Sequence, residues 1–316
     1  MTEKPALLPA ERTESVHASD GNATALPACR SLAELSSGAW QGGEWRPHAC
    51  SYSPLFQPSG AARLRECLGR RRVGFYGDST LRNIASLVVQ RALGPELGPG
   101  AAAKFESWAP GPQYRCGGVT WPWPGASGGA EMWWTPSAYF QHPADVGSMH
   151  TDDLSVVSIA AWDVGTYYKG QRAWFKSMSA LLEAAATKRL AAGKTLHVMH
   201  VHRFWSSRCT VKHDTEEGRH NTEICRTSNS LERNLQFRAA LAAAVSCVRA
   251  KGLPVVVVDT FPVTDTAFAE SESDGVHFEA TTTAMEAELL LQAACNGLAA
   301  APLLPSDKCL PPEAFS

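Results

Sequence analysis

The chain has 316 residues, 44% of them hydrophobic and 19% charged, with 29 Lys and Arg against 31 Asp and Glu and a formal net charge of −2. That length and apolar content suffice for one large core or two modest ones. The near-balanced charge leaves no basic footprint for a nucleic acid, and no apolar run is long enough for a signal-peptide h-region or a membrane span.

Residues 1–28, rich in Pro, Ala, Ser, Thr and charge, read as a disordered leader that carries a glycosylation acceptor pattern at Asn22-Ala23-Thr24. Residues 29–72 form a lead-in containing Cys and Trp, ending in the basic run Arg70-Arg71-Arg72, which reads as a solvated approach to the next element. Val73–Tyr76 is a short apolar run that predicts a buried strand. Gly77-Asp78 supplies a turn, and Thr80–Ala92 has helical apolar spacing. From Gly94 to Pro143 the chain is rich in Gly and Pro and reads as an irregular insertion. Its tryptophans Trp108, Trp121, Trp123, Trp133 and Trp134 either cap the sheet edge or stack on sugar rings. Further strands are expected at Ser155–Ile159, Thr195–Val201 and Pro254–Asp259, the last holding four consecutive valines. Further helices are expected at Gln171–Ala192, Ser230–Lys251 and Glu279–Asn296. This alternation is the pattern of an α/β fold, three layers α/β/α around a mostly parallel sheet, in a single domain over residues 29–300 with a tail at 301–316.

Ser79 falls between the first strand and its helix. A serine there has its hydroxyl exposed above the sheet and its N–H at a helix N-terminus, where negative charge is stabilised. Near the other end, Ser273-Asp274-Gly275-Val276-His277-Phe278 places an aspartate and a histidine three residues apart. Ser79, Asp274 and His277 together compose a candidate Ser-His-Asp triad. Each fragment alone is also ordinary turn chemistry, since Gly-Asp-Ser and Asp-Gly are common turn sequences. Asp78, beside the nucleophile, is expected to cap the following helix rather than to catalyse.

The two fragments resemble block I and block V of the SGNH (GDSL-type) hydrolase superfamily. The finer resemblance is to its PC-esterase branch, which includes the luminal domain of sialate O-acetyltransferases, fungal capsule-polysaccharide O-acetyltransferases and trichome-birefringence-like wall acetyltransferases. It rests on Gly38-x-Trp40, on Trp45-x-Pro47-x-x-Cys50, on Cys67-Leu68, and on Gly77-Asp78-Ser79-Thr80-Leu81-Arg82-Asn83, and it spans residues 29 to 296. One motif departs. The nearest counterpart of block III is Ala160-Ala161-Trp162-Asp163, without the Gly and Asn that usually complete the oxyanion hole, so the Ser79 N–H, Arg82 and Asn83 are the candidate substitutes. The resemblance implies a flavodoxin-like fold and acetyl transfer through an acetyl-serine to a hydroxyl of a glycan or nucleotide-sugar acceptor. It implies no bound cofactor, with acetyl-CoA or another activated acetate as co-substrate. An acetyl esterase using the same triad and a non-catalytic glycan-binding relative are the alternatives. Gly77, Asp78, Trp162 and Asp163 then belong to the oxyanion and substrate region. Arg203 and Trp205, just past a predicted strand, are candidate specificity residues.

Nine cysteines are present, none at the CxxC spacing of a zinc or redox motif. Cys29, Cys50, Cys209, Cys225 and Cys309 lie in loop-like segments and suggest disulfides, with Cys209 and Cys225 the plausible local pair. Cys247, on an apolar helical face, reads as a buried free thiol. Cysteine placement and resemblance favour the secretory pathway, the Golgi lumen or the exterior, with the cytoplasm as the alternative. His200, His202, His213, His220 and Asp214 lack the intervals of a known metal module, so no metal is expected.

Overall fold

A computed structural model of the chain describes residues 26–69, 71–106, 116–121, 130–136, 149, 151–158, 170–199, 203–209, 222–223, 225–227, 229–272, 275–300, 309 and 314. Among these, the central sheet has six strands in the order β4-β5-β3-β6-β7-β8. They are β3 (Arg72–Gly77), β4 (Cys116–Trp121), β5 (Ala130–Pro136), β6 (Leu154–Ser158), β7 (Leu196–Met199) and β8 (Val255–Val258). The five strands from β5 to β8 in that order pair in parallel, and β4 closes one edge antiparallel to β5. A separate hairpin, β1 (Gly38–Gln41) with β2 (Glu44–Pro47), lies in the lead-in. Setting β4 aside, the order is that of the flavodoxin-like sheet. The chain steps from β3 to β5 on one side and then from β6 to β8 on the other, so its direction reverses between β3 and β6.

Helices cover both faces. They are α1 (Leu32–Ser36), α2 (Ala61–Leu68), α3 (Ser79–Glu106), α4 (Gln171–Ala191), α5 (Leu231–Ala250), α6 (Phe261–Asp265) and α7 (Ala280–Asn296). Alternate strand residues serve the two layers. Val73, Phe75, Val156 and Met199 pack with Leu81, Val88 and Val89 of α3 and Leu289, Leu290 and Leu291 of α7. Tyr76, Val157, Leu196, Val198 and Val257 pack with Phe175 and Leu182 of α4 and Phe237 and Leu241 of α5. The expected three-layer α/β/α architecture is therefore present. β3, β6, β7 and β8 are buried on both faces for most of their length, which is why they read as predominantly apolar runs.

At the amino end of the sheet the second layer holds a buried polar network. Asp152 Oδ2 accepts from Tyr76 Oη at 2.7 Å and from Ser155 Oγ at 3.0 Å. The fully buried Arg189 guanidinium donates to the carbonyls of Met149, Asp152 and Asp153. Burial pushes the Asp152 carboxyl up to about 6. A Cβ at residue 74 would overlap Asp152 Oδ2, so Gly74 makes room for this carboxylate within the strand.

Two expectations are corrected. The stretch from Gly94 to Pro143 is not an irregular insertion throughout: it contains the rest of α3 and both β4 and β5, placing Trp121, Trp133 and Trp134 on strands, while Trp108 and Trp123 lie outside the described residues. Among the described residues, the glycines and prolines that suggested a loop fall at the helix break and beyond it in α3 (Gly94, Pro95, Gly98, Pro99 and Gly100) and within β4 and β5 (Gly117, Gly118 and Pro136). Cys247 is not a free thiol. It is bonded to Cys309, so the C-terminal tail is tied to α5. Cys29–Cys50 and Cys67–Cys295 are also joined, and the expected Cys209–Cys225 pair is present. Four disulfides fit a secreted or lumenal protein. Among the described residues no helix is long and apolar enough to cross a membrane.

Candidate active site

The carboxyl ends of β3 and β6, where the sheet reverses direction, are where such folds bind ligands. Gly77 ends β3 there. A Cβ on it would sit 2.6 Å from the Ser158 carbonyl oxygen at the end of β6, so only glycine lets the two strands part this closely. Asp78 follows, buried, and its Oδ1 accepts from Thr80 N at 2.9 Å and Thr80 Oγ1 at 2.6 Å. The carboxylate thus caps α3, the role expected of it. Arg82 N donates to the Asp78 carbonyl at 3.1 Å, closing the first turn.

Ser79 is the first residue of α3. A helix leaves the N–H groups of its first turn without intrahelical acceptors and carries partial positive charge at that end. Ser79 therefore offers a hydroxyl and a backbone donor at one point. Its Oγ lies 2.8 Å from His277 Nε2. Two of the three expected triad members are together, at a distance suited to proton transfer. Asp274, the third, lies outside the described residues, as do Trp162 and Asp163. The histidines weighed as metal ligands, with Asp214, lie outside them too. Arg82 and Asn83 occupy the next turn of α3, with Arg82 Nη2 3.4 Å from Asn83 Oδ1.

His277 is carried by a tight turn between α6 and α7. Glu272 N donates to the His277 carbonyl at 2.8 Å, Gly275 N donates to the Glu272 carbonyl at 3.0 Å, and Ser271 bridges to Phe278. Gly275 has φ +67°, which a side chain would resist. Below the turn, Thr283 Oγ1 donates to the Phe278 carbonyl at 3.2 Å and ties it to the start of α7.

Arg203 sits beneath this region rather than open to it. Only 7% of it is exposed. Its guanidinium donates to Asn234 Oδ1 of α5 at 2.9 Å, bonds the Phe204 carbonyl, pairs with Asp265 of α6 at 3.2 Å and stacks 4.3 Å from the Trp205 ring. Burial lowers its pKa, and Asp265 acts against that shift. Trp205, half-buried, packs edge-on against the exposed ring of Phe268 at 4.9 Å. Sequence reasoning did not single out Arg208, whose Nε donates to the Ser271 carbonyl at the base of the His277 turn at 2.9 Å. The only signal was the Asp-Gly dipeptide, which marks a turn but not what it leans on.

No protein-family model matches the chain. Among the described residues no group of three or more His, Cys, Asp and Glu side chains is arranged to hold a metal ion. What the described residues show is a serine hydroxyl 2.8 Å from a histidine ring nitrogen at a helix N-terminus, an arrangement chemically capable of acyl transfer.

Proposed function

We propose that the chain is an SGNH-type acyltransferase of the PC-esterase kind, acting in the secretory pathway, with the Golgi lumen its expected site. It would carry acetyl from an activated donor to a hydroxyl of a glycan. The observation that supports this best is the 2.8 Å approach of Ser79 Oγ to His277 Nε2 at the carboxyl edge of the sheet. Its second support is the sequence pattern from Gly77 to Asn83 together with Asp274-x-x-His277.

In the first step, His277 Nε2 takes the Ser79 proton as Oγ bonds to the acetyl carbon of a thioester or comparable donor. The negative oxygen that forms is held by the Ser79 N–H and the positive end of α3. As the carbon–sulfur bond breaks, His277 returns its proton to the leaving thiolate, leaving acetyl-Ser79. In the second step, His277 takes a proton from the acceptor hydroxyl, which attacks the same carbon. The Ser79 oxygen leaves and recovers the proton, so the enzyme is regenerated. Asp274 is the residue proposed to hold the imidazole in the tautomer with Nε2 free to accept.

Intact-mass spectrometry with peptide mapping, after incubation with acetyl-CoA or p-nitrophenyl acetate, tests this reading. One acetyl group on Ser79, cleared faster by a glycan acceptor than by buffer, is the expected result. Clearance by water alone, at the same rate with and without glycan, would make the protein an esterase. Absence of an adduct, of turnover and of Ser79 labelling by a fluorophosphonate would remove the enzymatic assignment.

A further inference from the structure

The turn that carries His277 is gripped at two points by one short segment, residues 205–209. Trp205 N donates to the Gly275 carbonyl at 2.8 Å. The Arg208 guanidinium donates to the Ser271 carbonyl through Nε at 2.9 Å and Nη2 at 2.5 Å. Between these anchors the two backbones are in contact. A Cβ on Gly275 would overlap the Trp205 carbonyl oxygen and stand 3.2 Å from Cys209 Sγ. The gripping segment has no long helix or strand of its own, only one turn of 3₁₀ helix over Ser206–Arg208. Its rigidity comes from side bonds. Cys209 is joined to Cys225, and the buried Asn229 donates through Nδ2 toward both sulfurs, at 3.7 Å and 3.2 Å. Ser206 N donates to the Asn229 carbonyl at 3.2 Å, and Asn229 N to the Cys225 carbonyl at 2.9 Å.

We infer that Arg208 and the Cys209–Cys225 disulfide are positioning residues for His277, forming a clamp that sets the imidazole against Ser79. The inference rests on the proposed acyl transfer for its kinetic consequence, though not for its geometry. A turn of this kind, tied to the main fold mostly by backbone bonds, opens locally at low cost unless something over-determines it. The clamp supplies that constraint from outside the turn, and a base displaced by about 1 Å loses roughly 10²-fold in rate. Asn229 completes the clamp by lying against both sulfurs.

The test compares the full-length wild type with Arg208→Gln, with the double variant Cys209→Ala/Cys225→Ala, and with Cys247→Ala/Cys309→Ala. The last removes a disulfide at the far end of α5, about 24 Å along that helix from the clamp. Two readouts are taken: kcat and KM for p-nitrophenyl acetate, and the histidine 1H–15N resonances, with that of His277 assigned through His277→Gln. Expected are kcat values reduced about 10- to 100-fold in Arg208→Gln and Cys209→Ala/Cys225→Ala, with KM changed less than threefold and a moved His277 resonance. The Cys247→Ala/Cys309→Ala control should lose melting temperature but keep kcat and the resonance. Should the double cysteine variant fail to fold, Arg208→Gln carries the test alone, since it leaves every disulfide in place. Wild-type kcat and an unmoved His277 resonance in Arg208→Gln would overturn the clamp. If the wild type itself shows no turnover, the acyl-transfer reading fails separately, and the resonance alone decides: moved in the clamp variants and not in the control upholds it, unmoved overturns it.

Discussion

Ser79 Oγ and His277 Nε2 meet at 2.8 Å although 198 residues separate them in sequence. Each arrives from a turn at the same edge of the sheet, one after β3 and one before α7. Ser79→Ala and His277→Ala each remove one side of this contact and no large buried surface. Turnover of p-nitrophenyl acetate is expected to fall by about 10⁴-fold or more in either variant, and not to fall further in the double variant. Steady-state kinetics on the three proteins, with circular dichroism to show that they fold, checks the assignment. Losses that multiplied in the double variant would mean that the two residues act independently.

Gly275 and Gly252 both have positive φ, +67° and +75°, yet they differ in surroundings. A Cβ at residue 252 meets nothing within 4 Å, while one at residue 275 overlaps the Trp205 carbonyl oxygen. Gly252→Ala is expected to cost only the backbone strain, about 1 kcal/mol. Gly275→Ala must in addition push the His277 turn away from the 205–209 segment. Urea unfolding should show the larger loss for Gly275→Ala, roughly 2–3 kcal/mol in all, and turnover should fall in that variant alone. Equal stability losses would mean that the turn yields without resistance.

These two glycines show where sequence reading stops. β8 and β3 were legible to within a residue or two because buried parallel strands need unbroken apolar runs, and Val255–Val258 has no other reading. The stop expected after Ala92 also reflects a real event. Gly94, at φ 80° and ψ −176°, breaks the helix, and the chain resumes helical geometry beyond Pro95. β4 and β5 escaped because their glycines and neighbouring prolines carry the signature of a loop. Cys247 misled because its apolar helical setting says nothing of a partner 62 residues away in the tail. At the site, Ser79 and His277 announce themselves by local context. The Arg208 bond to Ser271 spans 63 residues and joins two loops, so no local pattern encodes it.

Two disulfides offer a comparison of chain constraint. Cys67–Cys295 closes a separation of 228 residues and ties α2 to the end of α7, whereas Cys29–Cys50 closes 21 within the lead-in. If cross-links act mainly on the unfolded chain, the longer closure contributes about 5 kcal/mol and the shorter about 3 kcal/mol. Cys67→Ala/Cys295→Ala should therefore lower stability by about 2 kcal/mol more than Cys29→Ala/Cys50→Ala, as read from denaturant midpoints at constant m-value. A reversed order would show that local packing around Cys29 and Cys50 outweighs chain entropy.

Asp152, fully buried, and His197, partly buried on β7, titrate with opposite effects on stability. Burial raises the Asp152 carboxyl from 3.8 to about 6, against the opposing bonds from Tyr76 and Ser155 and the charges of Arg189 and Arg72. Between those values the folded protein holds a proton that the unfolded chain has released. The stability this group contributes is fully present below about pH 4 and is lost as pH rises through 6. His197 is depressed by burial from 6.5 to about 4, with Arg189 and Arg71 adding to the shift, so its contribution is lost as pH falls through the same range. In the wild type the two slopes offset each other. Asp152→Asn removes the first and keeps an oxygen for Tyr76 and Ser155, so the variant should lose stability more steeply than wild type as pH is lowered from 6 to 4. The stability of Asp152→Asn relative to wild type is expected to rise by about 2–3 kcal/mol between pH 4 and pH 7. Urea unfolding at half-unit pH steps measures it, and parallel profiles for the two proteins would mean that Asp152 titrates in the folded state as it does in the unfolded chain.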